Sequence, residues 1–337
     1  MLKYDFGIRM DLGKGIGSGH FFRCLAIAQE LQKNGKEVIF LTNKEDEIKN
    51  HLGKQKIPYL ILKQKLETKK ITQCKSELKN IKNLIVDLPF KNELYSKQFR
   101  NICTTFIIDD LGCKKCFSEV LFNGSIVPDF HSYETDVKYT KTFIGSEYMI
   151  LRKEFLKERQ NIKLSTKPIK KILMTFGGLD SNNLSKKLLQ KFFDTDYKIS
   201  LVLGPSYKHT KNIFEISKNY KNIKIYNFSK NLPKLLSSQD LVLSSGGITI
   251  YELACLGIPC IFFPTEVFEN KTASSFTKNG FGLNYCFWDN VPDKILKKIL
   301  FLDDYNKRKK MFQSGRKIVD GKGLFRITKN ILKYSEK

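Results

Sequence analysis

The chain has 337 residues, 41% of them hydrophobic, enough for two ordinary domains with cores of their own. No run of 18 apolar residues occurs, and the first residues lead straight into a strand without a secretory leader, so a cytoplasmic protein without membrane insertion is expected. The net charge of +25 raises nucleic acid as a partner, but the excess is almost all lysine scattered among acids, whereas base readout and bidentate phosphate clamps favour arginine; no nucleic-acid partner is expected.

Residues 1–150 carry 24 basic and 18 acidic side chains and the remainder 35 and 16, so the second half is the more basic, as an anionic ligand would require. Of the eight cysteines, Cys24, Cys255 and Cys260 fall in apolar stretches and are expected as reduced core thiols. Cys113 and Cys116 form a lone C-x-x-C without a second pair, and no metal cluster or cofactor is expected.

In chain order the pattern alternates strand and helix, the order that builds parallel sheets covered on both faces. Strands are predicted at 5–10, 37–41, 59–62, 84–87, 105–109 and 120–122. The first strand delivers a loop with glycines at 13, 15, 17 and 19, which can turn tightly and approach a ligand closely. Neither the dinucleotide fingerprint G-x-G-x-x-G nor a Gly-Lys-Ser/Thr phosphate loop fits it, since Ser18 and His20 stand where glycine is needed. An amphipathic helix follows, with Phe21, Cys24, Leu25, Ala28 and Leu31 at helical spacing and His20 at its mouth. The partial positive charge of a helix N-terminus disfavours imidazolium, which suits His20 to act as a general base; a glycine-rich βα turn capped by histidine is the alternative.

Arg9-Met10-Asp11 and the run Ile16-Gly17-Ser18-Gly19-His20-Phe21-Phe22-Arg23-Cys24-Leu25 resemble the R-x-D…I-G-x-G-H-x-x-R-C-L segment of the nucleotide-sugar hydrolases of pseudaminic acid biosynthesis. That resemblance implies a GT-B fold, cleavage of UDP-2,4-diacetamido-2,4,6-trideoxy-β-L-altropyranose, a catalytic role for His20, and substrate contacts from Arg9, Asp11, Gly17, Gly19 and Arg23. Leu12-Gly13 departs from the small residue and serine expected after the aspartate.

Asp87, Asp109 and Asp110 fall at predicted strand C-termini, the edge where doubly wound sheets bind ligands; Asp87 and Asp109 are taken as substrate-binding, with helix capping as the alternative. The run from Thr142 to Phe155 resembles the family's G-x-x-Y-x-x-L-R-x-E-F segment and adds Tyr148 and Arg152 to the substrate contacts. Polar residues Lys163 to Lys167 and then Pro168 are expected to be the interdomain linker.

The second domain restarts with a strand at 171–176, followed by strands at 199–203, 223–226, 241–244 and 260–263. The first of these delivers Gly177-Gly178-Leu179-Asp180-Ser181-Asn182-Asn183, which resembles the family's G-G-x-D loop and makes Gly177, Gly178, Asp180 and Asn183 candidates for a phosphate or sugar cradle. Ser244-Ser245-Gly246-Gly247-Ile248 at a strand end would present N–H groups and hydroxyls at a helix N-terminus, which suits a diphosphate. Glu252, one turn in, is placed to accept the ribose hydroxyls, a solvated helix residue being the alternative. This segment resembles the UDP-binding element of GT-B enzymes such as the N-acetylglucosaminyltransferase that makes lipid II. Val267 to Lys271 stands where the family has an N-Q pair, and Asp320-Gly321-Lys322-Gly323-Leu324-Phe325-Arg326 resembles its D-G-x-G-x-x-R ending.

The expected protein is therefore an α/β GT-B enzyme of two doubly wound Rossmann-like domains facing a cleft. The boundaries are 1–162, a linker at 163–168, a UDP-binding domain at 169–321 and a final helix at 322–337. The expected reaction is hydrolysis of the C1–O bond of a UDP-linked sugar, with His20 activating water; the alternative is a GT-B glycosyltransferase with a UDP-sugar donor. Nothing in the sequence sets the oligomeric state, and a monomer is the default expectation.

Overall fold

The computed structural model describes residues 4–12, 18–43, 48–49, 52, 57–62, 80–88, 97, 99, 102–112, 115–135, 140–204, 207–227, 231–285 and 294–335. The chain forms two compact units, one of Met1–Arg152 with Lys322–Lys337, the other of Lys153–Gly321.

In the first unit, β1 (Tyr4–Met10), α1 (Ser18–Lys33), β2 (Val38–Thr42), β3 (Tyr59–Ile61), β4 (Ile81–Asp87) and β5 (Thr104–Asp109) follow one another along the chain. After them come β6 (Lys115–Cys116), β7 (Val120–Asn123), β8 (Glu134–Thr135) and β9 (Lys141–Ile144). The main sheet has the order β3-β2-β1-β4-β5-β7-β9 with all neighbours parallel, while β6 and β8 pair apart from it. Alternate residues of each strand face opposite layers, and both are apolar. Phe6, Ile8, Phe40, Ile85, Phe106 and Phe122 pack in one buried cluster with Phe21, Leu25 and Leu31 of α1. Ile39, Leu41, Leu84, Val86, Ile107 and Leu121 pack in the other. Burial on both faces is why these strands read as continuous hydrophobic runs rather than alternating ones.

The second unit begins with α2 (Lys153–Asn161) and continues β10 (Lys171–Thr175), α3 (Leu184–Leu189), β11 (Lys198–Leu203), α4 (Thr210–Ser217), β12 (Ile223–Asn227) and α5 (Leu232–Ser237). It ends with β13 (Leu241–Ser244), α6 (Thr249–Leu256), β14 (Cys260–Phe262), α7 (Val267–Lys278), β15 (Leu283–Asn284), α8 (Ile295–Phe301) and α9 (Tyr305–Ile318). Its parallel sheet has the order β12-β11-β10-β13-β14-β15. The last helix, α10 (Gly323–Ser335), belongs to the first unit and packs against α1, burying Leu324, Ile327 and Ile331.

Two expectations change here. The division falls after Arg152, because α2 packs against α5 and α6 of the second unit. The stretch expected to link the domains is instead fastened to that unit by Arg308, 2% exposed, which donates to the carbonyls of Ser165 at 3.3 Å and Lys167 at 2.8 Å. Strands β6, β8, β9 and β15 were not anticipated; β9 and β15 are sheet edges, where a short strand carries a weak hydrophobic signal.

Both main sheets reverse their strand order at the first strand, between β1 and β4 and between β10 and β13. In open parallel sheets ligands bind outside the strand C-termini at such a reversal. Met10 is the register partner of Asp87 in one sheet and Thr175 of Ser244 in the other, so the same topological place holds candidate residues in each unit.

Candidate active site

His20 lies in the first turn of α1, which follows β1, and Asp87 is the last residue of β4 beside it. The imidazole Nδ1 is 2.7 Å from Asp87 Oδ1. An ionised carboxylate only accepts hydrogen bonds, so the short contact puts the proton on Nδ1 and leaves Nε2 with the lone pair when the ring is neutral. The side chain of His20 is 21% exposed against 1% for Asp87.

Arg23, one turn further along α1 and also buried, holds the other side of that carboxylate. Its Nε donates to Asp87 Oδ2 at 2.5 Å and its Nη2 to Oδ1 at 2.6 Å, while Nη1 donates to both oxygens of Asp110 at 2.7 and 2.9 Å. Cys24 Sγ donates to Asp87 Oδ2 at 3.3 Å. Burial works against a charged Asp87, but the charges of Arg23 and His20 and their hydrogen bonds outweigh it and hold the carboxyl well below the usual carboxylate range. Burial pushes the Cys24 thiol up, and the Asp87 charge adds to this, so the thiol is a donor and not a nucleophile.

The remaining expected contacts of the first unit have other surroundings. Gly17 lies outside the described residues, and a Cβ on Gly19 would meet open space. Arg9 and Asp11 form a buried pair at 2.6 Å, with Arg9 Nη1 donating to Met10 O at 2.6 Å, which ties the end of β1 together. Asp87 was expected to touch substrate; its two oxygens accept four hydrogen bonds, about their full capacity, from His20, Arg23 and Cys24. Arg23, also expected on substrate, is turned inward for the same reason. Asp109 Oδ2 accepts from Gly112 N at 2.7 Å and Tyr133 OH at 2.8 Å, closing the turn after β5. Tyr148 packs its ring 5.6 Å from that of Phe143, and the Arg152 guanidinium lies 5.7 Å from the centre of the Phe22 ring, near the mouth of α1.

In the second unit Asp180 caps α3, accepting from Leu184 N at 2.8 Å and Ser185 N at 2.9 Å. Asp180 and Asn183 have φ of 43° and 52°, the left-handed region, and Tyr207 OH donates to Asn183 Oδ1 at 2.6 Å across the loop. Burial and the Asp180 charge push the Tyr207 hydroxyl well up, so it stays a donor. Gly177 has φ 72°, and a Cβ on Gly178 would meet nothing within 4 Å, leaving its backbone open to a ligand.

Ser244 ends β13 with its Oγ buried and without a hydrogen-bond partner among the described residues; Ser245 is buried beside it. Ile248 caps α6, and Glu252, 9% exposed, lies in the first turn. Gly246 is needed for packing as well: a Cβ there would sit 2.5 Å from Glu269 Cβ and 2.6 Å from Glu269 O. Glu269 in turn accepts from Thr265 N at 2.8 Å and Thr265 Oγ1 at 2.7 Å, fixing the start of α7. Glu269, Cys24 and Tyr207 were not singled out from the sequence as neighbours of the candidate residues, since Gly246, Asp87 and Asn183, which they meet, lie far from them in the chain. Among the described residues no group of three or more His, Cys, Asp or Glu could hold a metal ion, and Cys113 of the C-x-x-C pair lies outside them.

Two parallel sheets of Rossmann-like topology define an α/β protein of the GT-B fold. Residues 172–322 match the glycosyltransferase family 28 C-terminal domain. The chain is 30% identical over 283 residues to an uncharacterized protein of Methanocaldococcus jannaschii, covering 78% of this chain and 56% of that relative, about half its length. It is 25% identical over 331 residues to the spore coat polysaccharide biosynthesis protein SpsG of Bacillus subtilis, covering 96% of each. Among solved structures, MurG of Acinetobacter baumannii superimposes with a TM-score of 0.71 at 16% identity over 98% of this chain and 99% of that one. HepE of Anabaena, solved with UDP and glucose, gives 0.61 at 12% identity over 99% and 100%. No described helix is long and apolar enough to cross a membrane.

Proposed function

We propose that this chain is a UDP-sugar-using enzyme of polysaccharide biosynthesis in which the His20–Asp87 pair deprotonates a hydroxyl nucleophile. The observation that carries the reading is the 2.7 Å contact at Nδ1, which leaves Nε2 to take a proton. That proton moves to Nε2 as the nucleophile oxygen bonds to C1 of the sugar, and the C1–O bond breaks with its electron pair leaving on UDP. Attack opposite the leaving group inverts C1. Asp87 orients the ring and stabilises the imidazolium without taking the proton itself, the division of labour seen in serine-protease triads. The loops at Gly177-Gly178 and Ser245-Gly246-Gly247 would hold the diphosphate by backbone N–H groups, with Glu252 accepting from the ribose.

Two nucleophiles fit this chemistry. The match to a glycosyltransferase family and the transferase folds it superimposes on favour a carbohydrate or lipid-linked hydroxyl, and hence glycosyl transfer. The segment from Arg9 to Leu25, with its likeness to nucleotide-sugar hydrolases, favours water. Free UDP is followed over a panel of UDP-sugars, first with no acceptor and then with carbohydrate acceptors, in ¹⁸O water. Acceptor-independent release with label in the sugar means hydrolysis; release that needs an acceptor means transfer. Label in UDP would show attack at phosphorus and remove the proposed mechanism. His20→Asn keeps a hydrogen bond but not the titrating base, so kcat falls about 10²–10⁴-fold with little change in UDP binding. Near-native turnover by that variant would return the loop to a purely structural role.

A further inference from the structure

We propose that Asp110 is a positioning residue for His20, acting through Arg23. The inference rests on the reading of His20 as the base. Asp110 follows β5, with its side chain 39% exposed, and takes both of its hydrogen bonds from Arg23 Nη1 at 2.7 and 2.9 Å. The remaining two nitrogens of the guanidinium hold Asp87, so one planar group spans two carboxylates from adjacent strand ends, β4 and β5. Arg23 Nη2 also lies 3.1 Å from His20 Nδ1. With the Nδ1 proton directed at Asp87, this last approach is not a hydrogen bond but a positive charge held against the imidazole.

Two consequences follow from that arrangement. A guanidinium fork is rigid, so fixing Nη1 on Asp110 fixes where Nε and Nη2 meet Asp87, and with them the direction of the imidazole. The balance of charge around His20 also depends on Asp110. Among the described residues, the charged and titratable groups packed on this site are Asp87 from β4, Arg23 and Cys24 from α1, and Asp110 after β5, with Arg152 over Phe22 at the same end of α1. Asp110 offsets the Arg23 charge, which lies 3.1 Å from His20 Nδ1, and keeps the fork seated on Asp87. The exposure of Asp110 makes its substitution tolerable to the fold, unlike that of Asp87 or Arg23.

The experiment is ¹⁵N NMR of the histidine ring nitrogens on the full chain, which has four histidines, with His20→Asn identifying the His20 signals. Wild type should show the Nδ1–H form of the neutral ring, held by Asp87. In Asp110→Asn, with the Arg23 fork loosened, the His20 signals should move toward a mixture of the two neutral tautomers, with the other histidines unmoved and Asp110→Glu restoring the wild-type pattern. In the UDP-release assay Asp110→Asn should lower kcat roughly 10-fold with KM changed less than about twofold. An unchanged His20 tautomer pattern overturns the proposal, as does an activity loss that merely follows the folded fraction. If the pattern changes but His20→Asn remains fully active, the positioning stands and the assignment of His20 as base fails.

Discussion

Asp87 concentrates the electrostatics of the first unit in one side chain. It is 1% exposed and meets a histidine, an arginine and a thiol, so its charge is stabilised only while those partners surround it. Asp87→Asn leaves a buried Arg23 with Asp110 alone, and removing one partner of a buried pair costs about 3–5 kcal/mol. The folded-state pKa is depressed, so the stabilisation is full above the unfolded value of about 3.9 and is lost as pH falls through it toward the folded one. The stability gap between wild type and Asp87→Asn should therefore be full above about pH 4 and narrow steadily as pH falls below it. Urea midpoints at a series of pH values measure it, and a gap that is constant with pH would count against an ionised Asp87. Of this network the sequence shows His20 at the mouth of a helix and Asp87 at the end of a strand. It does not show that the acid faces the histidine, because 67 residues separate them and only the register of β1 on β4 joins them.

At the level of elements, the two glycine loops of the second unit answer differently to the same added methyl group. A Cβ at Gly246 collides with the backbone of Glu269, so Gly246→Ala must push α6 and α7 apart, and overpacking of this kind costs about 1–3 kcal/mol. At Gly178 a Cβ meets nothing, so Gly178→Ala should leave the thermal midpoint within a degree or two while weakening UDP binding by about 10-fold if the diphosphate lies on that loop. Calorimetric titration with UDP and a melting scan separate the two; unchanged affinity in Gly178→Ala would take the ligand off this loop. Most of the parallel strands were legible because burial on both faces makes them apolar runs bounded by turn residues. The Gly246 contact was not, since sequence shows a glycine's freedom but not the neighbour it admits.

On the scale of the whole molecule, the chain leaves its first unit at Arg152 and returns at Lys322, so that unit is completed by α10. The return is specified by close packing: a Cβ at Gly323 would lie 2.1 Å from Met149 O, and Arg326 Nη1 donates to Glu147 O at 2.8 Å. The D-G-x-G-x-x-R ending, visible in the sequence as a motif, thus carries the chain back into its first unit, a return that no local pattern reveals. Leu324, Ile327 and Ile331 are each at most 1% exposed in the core shared with α1. Burying such a side chain contributes about 1.5–3 kcal/mol, and three of them approach the whole stability of an ordinary domain, about 5–15 kcal/mol. A chain ending at Lys322 should therefore lose hydrogen-exchange protection in β1, α1 and β4, while β10, β11 and β13 of the second unit keep theirs, because no residue of α10 belongs to that unit. Peptide-resolved exchange by mass spectrometry reads both units in one experiment. Full protection of β1 and α1 in the shortened chain would mean that the first unit closes its core without α10, and that the return crossing serves something other than stability.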